Sequence, residues 1–321
     1  MAPNTSHHLA QTVFGSDKLN VAELYKIKGQ VALVTGGGSG LGLVTAAALA
    51  QNGCKVYITG RRGDVLEQAA KDATPGPETG GEVIPIQADV SDKEGIDKLK
   101  AEISKREKFL NVLINSKSTS PIFFPLFLKN ELMPSIDHGV SLGAPPINEA
   151  DQTAEGLSKM MYNDESMEKW MQTYQINCAS YYFTSFAFLP FLAAAKTVGN
   201  YSEPGNIINI ASISGITYTS QRGQFNYNAS KAGTISLSKQ LACEFARRDL
   251  GVRVNGYFPS GMTSVHPDQD KQEFRQNMGI PFARPGNAID YAQTVIGIMV
   301  NKYQTGSEVV VDGGWLLQMA F

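Results

Sequence analysis

Tyr227 and Lys231, in the string YNASK, stand four residues apart in a stretch with the composition of a helix. Residues at i and i+4 share one helix face. A free tyrosine has a pKa of about 10 and exchanges its proton poorly near neutrality. An ammonium beside it favours the phenolate and lowers that value. Such a pair donates a proton to a carbonyl oxygen or takes one from an alcohol. The spacing recurs by chance, so it needs a companion. The string TGGGSGLG, Thr35 to Gly42, is one. Glycines let the backbone turn tightly and approach a pyrophosphate, and the helix that follows offers free N–H groups and a positive dipole end. Gly36, Ser39, Gly40, Leu41 and Gly42 are the candidate contacts of that turn. Together the two motifs point to hydride transfer on a bound dinucleotide.

These motifs need a scaffold that holds them. GQVALVTGG reads as a fully buried strand, and LGLVTAAALAQNG as the helix after it, closed by Gly53. CKVYITG, EVIPIQADV and LNVLIN read as the next strands, alternating with helices at DVLEQAAKDA and KEGIDKLKAEISKRE. After an irregular region, 116–150, one long helix is predicted over ESMEKWMQTYQINCASYYFTSFAFLPFLAAA. Strand GNIINIAS, the helix of Tyr227, strand GVRVNGYFP, helix AIDYAQTVIGIMV and strand SEVVVDGG complete the series. Buried apolar runs alternating with helices indicate an α/β fold. The expectation is a single doubly wound Rossmann domain, a parallel sheet of about seven strands with helices on both faces. Residues 1–27 read as an arm or tail and 28–321 as the domain.

The second strand ends in Gly60, Arg61 and Arg62. Many dinucleotide folds carry an acid there for the adenosine 2′-hydroxyl. Without a carboxylate to repel it, a 2′-phosphate can be gripped by an arginine fork. NADP(H) is therefore favoured over NAD(H), with Arg61 as the main contact.

The glycine spacing G-x-x-x-G-x-G after Thr35, and Y-x-x-x-K following NIASISG, resemble the short-chain dehydrogenase/reductase family from residue 28 onward, with fungal members nearest in character. That resemblance implies further roles. Ser212 looks like the serine that hydrogen-bonds the substrate oxygen, with Ser214 as the alternative. Asn177, in YQINCAS, matches the asparagine that orders a water for proton relay. Lys231 would also hold the nicotinamide ribose, alongside Tyr227. Asp89 and Val90, in ADVS, match the adenine contacts, and Asn115 the first residue of the family's Asn-Asn-Ala-Gly. A homodimer or homotetramer built on helices 166–195 and 226–248 is also implied.

The pattern breaks twice. Asn115 is followed by Ser116, Lys117 and Ser118 rather than small residues, and then by PIFFPLFL. An insertion of about twenty residues between Asn115 and Gly139 describes this most simply. It reads as a lid with Phe123, Phe124 and Phe127 lining an apolar pocket, as an inert surface excursion, or as translated non-coding sequence. The second break lies at VRVNGYFPSGMTS. There the Pro-Gly turn after Asn255 is missing, Pro259, Ser260 and Gly261 stand in for it, and a short strand is expected.

Composition narrows the class. A net charge of −2 over 321 residues argues against a nucleic-acid surface. Three scattered cysteines, Cys54, Cys178 and Cys243, fit a reducing compartment and give no metal framework. The N-terminus lacks the pattern of a secretory signal, and the longest apolar run, YYFTSFAFLPFLAAA, is too short to span a bilayer. A cytoplasmic enzyme acting on a small carbonyl or alcohol is expected. Met160, Met161, Tyr162, Phe258, Met262, Phe274 and Met278 read either as the lining for an apolar substrate or as plain core. The alternative is a dinucleotide-binding homologue that lacks turnover because of the two breaks.

Overall fold

The computed structural model describes residues 19–117, 153–220, 223–259 and 279–318. The chain enters through a single turn, α1 (Val21–Leu24), capped by the Asn20 side chain. Ile27 is already buried in the core, and its carbonyl accepts from the Cys54 thiol. Then strands and helices alternate: β1 (Val31–Thr35), α2 (Gly40–Gln51), β2 (Lys55–Gly60), α3 (Gly63–Ala73), β3 (Glu82–Gln87), α4 (Lys93–Arg106) and β4 (Val112–Asn115). The second half holds α5 (Ala154–Asp164), α6 (Met167–Tyr174), α7 (Ser180–Thr197), β5 (Asn206–Ile210), α8 (Phe225–Arg247), β6 (Arg253–Pro259), α9 (Ala288–Val300), β7 (Glu308–Val311) and α10 (Trp315–Gln318).

The seven strands pair in parallel in the order β3-β2-β1-β4-β5-β6-β7. The order reverses between β1 and β4, which opens a crevice at their carboxyl ends. Successive side chains of a strand face opposite ways. Ala32, Val34, Val112, Ile114, Ile208 and Ile210 accordingly pack on one side, with residues of α2, α3 and α9. Val31, Leu33, Leu113 and Ile207 pack on the other, with α4, α7 and α8. Burial on both sides is why the central strands read as unbroken apolar runs.

Three expectations need correction. The helix expected over 165–195 is divided. Residues Gln175–Ala179 form a π-helical segment between α6 and α7, so the chain widens by a residue there. With that segment the helical run Met167–Thr197 has 31 residues and is apolar enough to cross a membrane by length and composition, unlike the shorter apolar string alone. Here its inner face, Phe188, Leu192 and Ala195, is buried in the domain. Finally, β6 is not short. It runs seven residues to Pro259, the longest strand of the sheet, and Pro259 stands opposite Val311 at its end. A proline at a strand terminus removes no interior ladder bond. The expected insertion lies outside the described residues beyond Lys117.

Candidate active site

The glycine turn leaves β1 at the reversal of strand order. Gly36 has φ +69°, and a β-carbon on it would stand 2.9 Å from the Lys117 α-carbon. A β-carbon on Gly42 would stand 2.3 Å from the Gly36 carbonyl oxygen, so the first turn of α2 lies directly on the loop. Ser39, the N-cap of α2, makes no side-chain capping bond, and the first turn holds no acid. The turn thus presents a helix N-terminus without its own anionic partner, which fits a diphosphate. Leu41 packs on the core from its outer side. Arg61 is exposed beyond β2, its carbonyl accepting from the Gln87 amide at 2.8 Å.

Asp89 follows β3. Its carboxylate accepts from the Ser91 hydroxyl at 2.7 Å and from the Lys117 ammonium in a short ion pair. Burial raises its pKa, but the Lys117 and Ser91 hydrogen bonds outweigh this and hold it at about 2. Val90 is 2% exposed and its side chain belongs to the core, leaving only its backbone for a ligand. Asn115 is fully buried. Its amide donates to Asn209 at 2.9 Å and its oxygen accepts from Thr184 at 2.8 Å. The side chain therefore ties β4 to β5 and α7.

The candidate catalytic residues gather at the carboxyl end of β5. Ser212 caps the single 3-10 turn Ile213–Gly215. Its hydroxyl donates to the Ser214 hydroxyl at 3.1 Å and accepts from the Ser214 N–H at 3.1 Å. The two candidate serines are thus hydrogen-bonded to each other. A β-carbon on Gly215 would stand 2.7 Å from the Lys231 carbonyl carbon, so this turn rests directly on α8. Beneath it lies Phe258, wholly buried with Ala211, Ile213 and Ile235. Phe258 is thus core, not a substrate-facing residue. Tyr162 is 84% exposed, Met160 and Met161 are half-buried on α5, and Met262, Phe274 and Met278 lie outside the described residues.

Tyr227 and Lys231 lie on the buried face of α8. The Lys231 ammonium donates to the Ile210 carbonyl at 2.8 Å and sits 5.8 Å from the Tyr227 ring centre and 5.6 Å from that of Tyr181. Burial pulls its pKa down to about 7, with the Cys178 thiol opposing. Asn177 sits in the π-helical segment, where its amide donates to Ser230 at 3.0 Å. The Ser230 hydroxyl donates in turn to the Tyr227 carbonyl, and the Thr234 hydroxyl to the Asn177 carbonyl at 2.6 Å. The segment is thereby fastened to α8.

Two residues that pattern reading missed belong here. The Tyr181 hydroxyl lies within hydrogen-bond reach of the Lys117 carbonyl, 2.9 Å, and the Ile210 carbonyl, 3.2 Å, joining the ends of β4 and β5. A buried tyrosine needs a partner for its hydroxyl, but YY in the string does not say which ring turns inward. Lys117 was visible only as a departure from small residues. Among the described residues no group of three His, Cys, Asp or Glu side chains is placed to hold a metal.

The family model for short chain dehydrogenases matches residues 30–125, and the one described as enoyl-(acyl carrier protein) reductase matches residues 150–316. The short-chain dehydrogenase/reductase PhomF of Diaporthe leptostromiformis is 30% identical over 307 residues, covering 93% of this chain and 95% of its own. An NADP-dependent (R)-specific alcohol dehydrogenase of Lentilactobacillus kefiri is 29% identical, covering 91% and 99%. In structure, Pseudomonas aeruginosa RhlG, solved as an NADP active-site complex, superposes with a TM-score of 0.68 at 24% identity, covering 91% of this chain and 98% of that one.

Proposed function

The chain belongs to the short-chain dehydrogenase/reductase family, and on that premise we propose that it is an NADP(H)-dependent oxidoreductase interconverting a carbonyl and a secondary alcohol. One observation carries the reading. Tyr227 and Lys231 stand together at the carboxyl end of β5, on the same sheet edge as the glycine turn. When bound, the nicotinamide gives or takes the hydride. The Tyr227 hydroxyl moves the proton at the substrate oxygen, and the Lys231 ammonium favours its phenolate. The Ser212–Ser214 pair donates a hydrogen bond to that oxygen. Asn177 braces α8 through Ser230 and Thr234, and its part in this reading is to order a water for proton relay.

The glycine turn, Arg61, Asp89 and the backbone of Val90 would hold the nucleotide, with Tyr227 and Lys231 at its nicotinamide ribose. The preference for NADP(H) is supported by Gly60 in place of an acid and by the two relatives named with NADP. An apolar small-molecule substrate fits Met160 and Met161. Pairing of subunits through α7 and α8 fits the exposed ring patch of Tyr182, Phe183 and Phe186, the last seated on Phe245 of α8. The free thiols of Cys54, Cys178 and Cys243 suit the cytoplasm.

A second reading, nucleotide binding without turnover, is favoured by one feature: Lys117 lies against the glycine turn where a small side chain was expected. Absorbance at the NADPH band, followed with a panel of reactive carbonyls and with NADH as control, separates the two. Carbonyl-dependent loss of NADPH supports the enzyme. Binding with no loss over the whole panel overturns it.

A further inference from the structure

The ion pair of Lys117 with Asp89 has a placement that the proposed reaction does not explain. Lys117 follows β4 and Asp89 follows β3. In the sheet those strands are separated by β1 and β2. A lysine side chain is too short to span two strands, so the loop after β3 must turn back over the sheet end to bring Asp89 to Lys117, at the crevice into which the glycine turn opens. Its backbone is fixed at the near end. The Ser116 and Lys117 N–H groups donate to the Thr35 hydroxyl at 3.1 and 3.3 Å, and the Lys117 carbonyl is within reach of Tyr181. The Lys117 side chain is 11% exposed, against 35% for Asp89. Burial lowers the Lys117 pKa, the Asp89 carboxylate opposes this only in part, and the lesser influences of the Arg61 and Asp92 charges push it down and up respectively. Arg61, Asp89 and Lys117 thus follow β2, β3 and β4 at the same end of the sheet.

A nucleotide that enters the crevice must part Lys117 from Asp89. Without a ribose phosphate, nothing replaces the lost partner of the buried ammonium, and such a loss is costly. With a 2′-phosphate, a dianion arrives between Lys117 and Arg61, where two cations can hold it. We propose that Lys117 is a cofactor-selecting residue that exchanges the Asp89 carboxylate for the 2′-phosphate of an adenosine ribose, so that the same side chain obstructs the unphosphorylated nucleotide and binds the phosphorylated one. This rests on the dinucleotide reading of the site given above. It adds a determinant beyond Arg61, placed at the end of a different strand.

The test is calorimetric titration of the full chain with 2′,5′-ADP and with 5′-AMP, which isolate the adenosine half and require no turnover. For K117M the ratio of the two affinities is expected to fall about tenfold or more, with 2′,5′-ADP weakened and 5′-AMP unchanged or strengthened. K117R keeps the cation and is expected to keep most of the wild-type ratio, which separates loss of charge from a damaged fold. An unchanged ratio in K117M, or equal strengthening of both ligands, overturns the exchange while leaving the dinucleotide site standing. Failure of the wild-type chain to bind either ligand removes the site reading and the exchange with it.

Discussion

Gly60 shows how one side chain sets a preference. A β-carbon there would meet Leu66 at 3.7 Å, an ordinary contact, so nothing in the packing demands glycine. G60D should therefore fold, place a carboxylate beside Arg61, and weaken NADPH about tenfold or more relative to NADH, read by fluorescence titration. Lys231 gives a second prediction. Its folded pKa of about 7 lies below the ordinary 10.5, so between those values the unfolded chain binds the extra proton. Stability from this group then rises with pH across that window, and burying the charge is most costly below it. K231M is expected to exceed the wild-type Tm at about pH 6 and to lose that advantage by about pH 10, in thermal unfolding scans. The glycine turn and the Tyr-Lys spacing were legible in the string because their chemistry is local. Lys117 and Tyr181 were not, because each acquires its role from a partner on another strand, which sequence spacing does not reveal.

Among the elements, the buried strands could be read from their apolar runs, and all seven are present in the expected order along the chain. The interruption of the long helix could not. A π-helical segment keeps the same residue types as an α-helix and differs only in how the carbonyls are used. Here the Asn177 carbonyl accepts from the Thr234 hydroxyl of α8. The caps also escaped notice, including the reciprocal box of Asn287 and Asp290 that starts α9. Register between β4 and β5 is marked by the amide pair Asn115 and Asn209, which stand directly opposite each other. N115A would strand the Asn209 amide oxygen in the interior, while the Thr184 hydroxyl keeps the Ser180 carbonyl as its acceptor. A loss of about 1–3 kcal/mol is expected in urea unfolding.

For the molecule as a whole, the sheet brings the ends of β1 to β5 to one edge and the candidate site residues collect there, as expected of the crevice in an open α/β sheet. What remains outside that edge is the ring patch on α7. If α7 and α8 pair across a two-fold axis, a Y182E/F183E double variant should sediment as a smaller species than the wild type, with nucleotide binding kept. Equal sedimentation of the two would place the contact elsewhere.

The central claim is that Tyr227 moves the proton in a carbonyl reduction. Its most direct test is the rate of NADPH oxidation with a reactive diketone, compared between the wild type and Y227F at matched nucleotide binding. The expected result is carbonyl-dependent oxidation by the wild type and a loss of about a hundredfold or more in Y227F, with NADPH affinity nearly unchanged. Turnover that survives the substitution would contradict the claim.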